Sequence, residues 1–287
     1  MNLLKNINLS PFLRMVWANP RARQAWEKVI NQLSSKIQEL EIISVARDQR
    51  LCAWQTFPVR DFPRMTKKII DLGLSLYPIN LCGSWGQGFC HYTPSLSDTD
   101  PNPQVSCIIT REPRFADRFW TAYNKGDHIT QGELLGFPHC CTQAFTRNWK
   151  AGYFDPVWQM VETEGETSIY LEKNEYNIFS NPILRYIGIR VGFHIPCTFH
   201  CQETVDIAEE RLELMDKESK LLLISLLRMP MQWSALNGIA VIKTPIFTMI
   251  TQSVPCSQAH TINLRGDFYP LESAAGSGFP YTLEVAS

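Results

Sequence analysis

Gly136-Phe137-Pro138-His139-Cys140-Cys141 and His194-Ile195-Pro196-Cys197-Thr198-Phe199-His200-Cys201 are two stretches built alike. In each, a proline is followed within three residues by cysteine and then by a helix-like pattern. Proline suits the first helical position because its missing N–H would be unsatisfied there anyway. Both stretches are therefore predicted to open helices, with their cysteines in the first turns. The free N–H groups and positive dipole end at that position favour thiolate, the form that binds metal or attacks an electrophile. Cys197 and Cys201, four apart, are expected on one helix face, with Cys197 the more acidic thiol.

Three chemistries fit Cys140, Cys141, Cys197 and Cys201, besides plain packing of reduced thiols. The leading expectation is an iron–sulfur cluster. Thiolates suit such clusters, adjacent cysteines can bind different irons, and an iron left open acts as a Lewis acid on a substrate. Structural zinc is the alternative: the Cys197/Cys201 spacing suits it, whereas adjacent side chains project about 100° apart around a helix. A single zinc is then expected to take one of Cys140 and Cys141, with His194 or His139 as fourth ligand. Thiol–disulfide cycling is the third. His194 and His200 are candidate acids or donors beside the cysteines, and Glu203, just after Cys201, is a further acid in the same turn. Glu203 is equally an ordinary dipole partner.

The composition narrows the partners. The chain has 287 residues, 45% apolar and 19% charged, enough to bury a sizeable core. Its net charge is −1, from 27 basic and 28 acidic residues, and no basic run points to nucleic acid or an anionic membrane surface. The longest apolar run, Leu221 to Leu227, falls far short of the roughly 20 residues that span a bilayer. Met1-Asn2-Leu3-Leu4-Lys5-Asn6 carries no long apolar stretch or small-residue cleavage site, so a secretory leader is not expected. The expectation is a soluble cytoplasmic protein with a small-molecule substrate, in which nine cysteines stay reduced. The functional expectation is a metal-dependent, iron–sulfur enzyme of oxidoreductase or lyase type; the alternatives are a zinc-stabilised binding or scaffold protein and a thiol redox protein.

Along the chain, residues 1–18 read as an irregular lead-in. Asn19 caps a helix running to about Leu40 on the spacing of Val29, Ile30, Leu33 and Ile37. Ile42 to Phe57 reads as strand, Asp61 to Leu72 as helix stopped by Gly73, and Leu74 to Leu81 as an edge strand broken at Pro78. The Gly- and Pro-rich stretch 82–103 is a loop that can cover a substrate; Cys90-His91 and the polar turn of Asp98 and Asp100 lie in it. Val105 to Thr110 is a buried strand and Glu112 to Asn124 a helix with Phe115, Phe119 and Trp120 inward. Ile129 to Leu135 is a short helix, and the Pro138 helix ends near Lys150. Asp155-Pro156 caps a helix to Val161, and Glu162 to Glu166 reads as a solvated loop. Asn181-Pro182 starts a helix that ends at Gly188, and Ile189 to Phe193 a strand. Pro196 to Arg228 is the longest helical run, Met229 to Gly238 a turn, and Ile239 to Thr251 strands around Pro245. The class is α+β: a mixed sheet with several helices and two cysteine-bearing helix N-termini converging on one site. Residues 1–127 and 128–287 form two lobes or one single domain.

Overall fold

The computed structural model describes residues 13–83, 96, 100–150, 156–164, 168–171, 176–236, 239–252, 260–262 and 268–270. The expected loop interior at 84–95 and 97–99, with Cys90, His91 and Asp98, lies outside them, as do Asp155, Gly165-Glu166, Asn237-Gly238, Cys256 and the C-terminal tail.

The fold is built on its longest described helix. In α1 (Pro20–Ala46) the Asn19 side chain accepts the Ala22 N–H at 2.8 Å and Pro20 takes the first position. The helix runs past Leu40, through residues expected to be strand. Ile42 and Val45 prefer strands, but both are almost fully buried, and burial overrides propensity. Asp48, at φ 58°, turns the chain out of the helix, and the Gln49 N–H closes on the Ser44 carbonyl. Ile30, Leu33, Ile37 and Leu40 belong to one apolar cluster, Ile42 and Val45 to a second.

That second cluster lies on a three-stranded antiparallel sheet of β2 (Cys52–Pro58), β3 (Ser75–Cys82) and β4 (Gln104–Thr110), in the order β2-β4-β3. α2 (Phe62–Asp71) precedes β3, and Gly73 at φ 73° ends the turn between them. β3 is an edge strand whose register shifts between Pro78 and Asn80, as its proline predicts. β4 is buried throughout. Val105, Cys107 and Ile109 face the cluster holding Ile42, and Ile108 faces a third with Cys52, Phe119 and Leu134, the period-2 alternation of a strand covered on both sides. α3 (Pro113–Lys125) lies on that far side. Trp120, expected inward, is 47% exposed, because Ala116, Phe119 and Ala122 take the buried stripe.

The first cluster lies on a five-stranded sheet ordered β1-β8-β7-β6-β5. Its strands are β1 (Leu13–Trp17), β5 (Ser168–Leu171), β6 (Met231–Leu236), β7 (Ile239–Lys243) and β8 (Phe247–Gln252); β9 (His260–Ile262) and β10 (Phe268–Pro270) form a separate pair. The α+β class holds, but every described pairing is antiparallel, whereas a mixed sheet was expected. No βαβ crossover joins neighbouring strands, so nothing requires parallel pairing. β1 lies in the expected irregular lead-in, recruited by pairing with β8. β6 lies in the expected turn; Met231 and Trp233 are fully buried on either side of exposed Gln232.

After α6 (Pro156–Thr163), the helical run expected from Pro196 to Arg228 is two helices, α7 (Gln202–Leu212) and α8 (Lys217–Leu227). Asp216 divides them by accepting the Ser219 N–H at 2.9 Å as the cap of α8. Ile189 to Phe193, expected as a strand, pairs with none of the described strands; its apolar side chains are buried in the first cluster. The segment before it, Ile183–Ile187, is a 3-10 turn ended by Gly188 at φ 77°.

A Cβ on Gly188 would stand 1.9 Å from the Ser34 Oγ of α1, in a backbone region that side chains rarely adopt. Gly188→Ala is expected to destabilise the fold by about 3 kcal/mol or more, measured by denaturant unfolding. Adding Ser34→Gly should recover only part of that, since the clash is relieved while the strain at φ, about 1 kcal/mol, persists.

Candidate metal centre

α4 (His128–Leu134) and α5 (His139–Lys150) meet in a tight corner. Gly136, at φ 64°, makes the turn, and the Phe137 N–H closes on the Gly132 carbonyl. The Thr142 N–H and hydroxyl both donate to the Pro138 carbonyl. Cys140 and Cys141 therefore stand in the first turn of α5, as the proline-led motif predicts.

The second stretch reaches the same place by a different route. Pro196 does not begin a helix: residues 196–201 are turn, and Cys201 is the cap of α7 with extended backbone. Thr198 competes for the backbone by accepting the His200 N–H at 3.3 Å, while the Phe199 carbonyl accepts the Asn177 N–H. The Cys201 carbonyl accepts the Ser180 hydroxyl at 3.1 Å. These lateral bonds hold the carbonyls away from a helical ladder. Cys197 and Cys201 thus converge through a pinned turn, and the shared helix face expected for them does not exist.

All four sulfurs lie within 4.8 Å of one another. Cys141 to Cys201 is 3.5 Å, Cys140 to Cys201 3.6 Å and Cys140 to Cys141 3.7 Å. Cys141 and Cys201 are buried, Cys140 and Cys197 partly so. Such a group can hold a metal ion, and thiolates favour zinc and iron. Protons are shared unequally here. Cys201 is drawn down to about 4, first by the neighbouring Cys141 thiol and then by Thr204. Burial and the nearby Cys201 sulfur push Cys140 up to about 12, and the Cys201 sulfur, then burial, lifts Cys141 above the usual thiol range. Cys197, expected to be the most acidic, is instead raised, chiefly by burial. One thiolate stabilised by its neighbours' S–H groups opposes a second.

The histidines and the acid divide sharply. Buried His194 places Nε2 2.8 Å from the Thr204 hydroxyl, which touches the Cys141 sulfur at 3.6 Å. It therefore stands one side chain removed from the sulfurs. His139 is exposed and bonds Gln143 across one helical turn. His200 and Glu203 are exposed and are not in the sulfur group. Cys52, Cys82 and Cys107 are fully buried in the three-stranded sheet, with burial pushing Cys52 up to about 11 and Cys107 to about 12. Asp100 accepts the Asn102 N–H at 3.0 Å, a polar turn. Thr204 went unnoticed in the sequence; its place three residues after Cys201 was the signal available.

Cys141 and His194 also line a cavity of about 750 Å³ between α1, β2, the α4–α5 corner and residues 185–195. Among the described residues no helix is long and apolar enough to cross a membrane.

Burial, then the charges of Arg211, Arg185 and Arg50, pull His194 down to about 3, so it is neutral in the folded protein. Unfolded histidine titrates near 6.5, so between these values the unfolded chain binds the extra proton and stability is lost as pH falls. From pH 6.5 to 5 the wild type should lose about 2 kcal/mol more than His194→Gln, read from paired urea titrations.

Compared with protein-family models, with curated proteins and with solved structures, the chain matches none, and the chemistry of the centre is read from its own residues.

Proposed function

We propose that Cys140, Cys141, Cys197 and Cys201 hold one metal centre, and that the protein is a metalloprotein binding a small molecule in the cavity that Cys141 lines. The observation that carries this reading is the convergence of four sulfurs within 4.8 Å from two segments distant in sequence. Neutral thiols gain little from such crowding, whereas a thiophilic cation gains four ligands at once. The sulfur spacing supports a single ion. Metal–sulfur bonds of about 2.3 Å set tetrahedral edges of roughly 3.8 Å, close to the 3.5–3.7 Å separations among Cys140, Cys141 and Cys201. A closed set of four thiolates is the structural type of site, and zinc its usual occupant. It would clamp the start of α5 to the 197–201 turn and so fix one wall of the cavity.

The iron–sulfur reading is favoured by a different observation. Cys140 and Cys141 are adjacent, which suits ligands of different irons, and Cys141 faces the cavity where a substrate would meet an open iron. It requires the sulfur shell to widen, because each thiolate then binds its own iron. Oxidoreductase or lyase chemistry belongs to this second reading.

Elemental analysis and a visible spectrum of anaerobically purified protein distinguish the two. One zinc per chain and no colour is the expected result; brown protein with iron and sulfide favours the cluster, and metal-free protein sinks both. Cys197→Ser and Cys201→Ser should lose the metal and lower Tm by roughly 10 °C, equivalent to a few kcal/mol in a chain of this size. His200→Ala and Glu203→Ala should keep the wild-type metal content.

A further inference from the structure

Two arginines, Arg185 and Arg190, line the cavity, and Arg50 and Arg211 join Arg190 around Phe193, which lines it too. The guanidinium carbons of Arg50, Arg190 and Arg211 lie 5.6, 5.6 and 5.0 Å from the ring of Phe193, and Arg185 and Arg190 line the cavity beside His194. Arginine stays charged at neutral pH even here: burial and its neighbours pull Arg185 down only to about 10 and Arg211 to about 9. Among the described residues, the buried carboxylate facing this group is Glu41, and it is already engaged by Arg50 at 3.2 Å and by Gln55. His194, neutral, offers no negative charge.

The donors are unmatched as well as the charges. Arg50 Nη2, Arg185 Nη1, Arg190 Nε and Arg211 Nη1 are buried without a hydrogen-bond partner among the described residues, and so is His194 Nδ1. Buried cations are normally paired, and unfilled guanidinium forks match the two oxygens of a carboxylate or phosphate. The volume decides the size of the ligand. About 750 Å³ is far more than a bare inorganic oxyanion fills and suits a metabolite-sized molecule. Trp54, Tyr123 and Phe145 line the same cavity and offer it flat apolar surface.

We propose that this cavity binds a small organic anion, its carboxylate or phosphate group held by Arg185 and Arg190 and its apolar body resting on the aromatic wall. The inference names the ligand class for the small-molecule reading above. It does not depend on which metal the cysteines hold.

The test uses the full chain as purified, with its metal content measured alongside. Adenosine monophosphate and pyrophosphate represent the phosphate source, phthalate and citrate the carboxylate source, and sodium chloride at matched ionic strength is the control. Thermal unfolding should show at least one probe raising Tm by several degrees beyond chloride, with calorimetry giving its affinity; the better head group identifies the source. Arg185→Gln and Arg190→Gln should each weaken that binding at least tenfold, yet melt, without ligand, at or above the wild type, because each removes an unpaired buried cation. Arg185→Lys keeps the charge and loses the fork, so it should stay folded and bind more weakly than the wild type. The proposal is overturned if no probe exceeds chloride, or if all the variants respond as the wild type does. Metal without anion binding would refute this inference alone, and anion binding without metal would refute the metal reading alone.

Discussion

The pairing of Glu41 with Arg50 is the interaction around which the interior is arranged. Both side chains are almost wholly buried, with Nη1 and Oε1 3.2 Å apart. Arg50 Nε also donates to the Cys52 carbonyl at 2.6 Å, so the charge is tied to the first residue of β2. Glu41 sits on α1 between the side chains serving the first apolar cluster and those serving the second. A buried pair of this kind contributes little net stability, but losing one partner costs about 3–5 kcal/mol because the other charge is stranded. The constraint falls on geometry: helix, strand and the Phe193 segment must meet at this point for the charge to be answered.

The sulfur group depends on a separate set of constraints, none of which needs a metal. Phe199, 1% exposed, anchors the 197–201 turn in the first cluster, and the Asn177 N–H and Ser180 hydroxyl hold its carbonyls. On the other side, Gly132 lets α4 pass close to Thr142; a Cβ there would lie 2.4 Å from the Thr142 hydroxyl oxygen. The four sulfurs are thus brought together by the core and by local hydrogen bonds.

Much of this was legible in the sequence, and the failures have physical causes. The cysteines, the Asn19 cap, the Gly73 stop, the edge strand with Pro78 and the buried β4 were readable because each rests on local rules. The α1 overrun was not, since Ile42 and Val45 are helical only because two apolar clusters share that helix. The second cysteine stretch misled for a related reason. Pro196 permits a helix start, but the bonds that defer it to Gln202 come from residues 177–180, some twenty positions away, and no local rule brings them there. β6 could have been found: Met231, Gln232 and Trp233 alternate in burial as a strand should. The arginine group was invisible, because Arg50, Arg185, Arg190 and Arg211 are scattered along the chain and a net charge of −1 conceals any local excess.

The two sites meet through a short path, Cys141 to Thr204 to His194, with contacts of 3.6 and 2.8 Å. On the metal reading proposed above, four thiolates around a divalent ion carry a net charge of about −2. In a low-dielectric interior such a charge is felt over several ångströms, so the centre offsets part of the positive charge gathered at Phe193. It does not meet the other requirement. A charge can be balanced at a distance, but a hydrogen bond is made only at contact, and the free guanidinium N–H groups have no acceptor among the described residues. The thiolates lower the electrostatic penalty of gathering four arginines and leave their donors unfilled. On the anion reading proposed above, a ligand's carboxylate or phosphate oxygens would supply the acceptors that this partly neutralised interior lacks among the described residues.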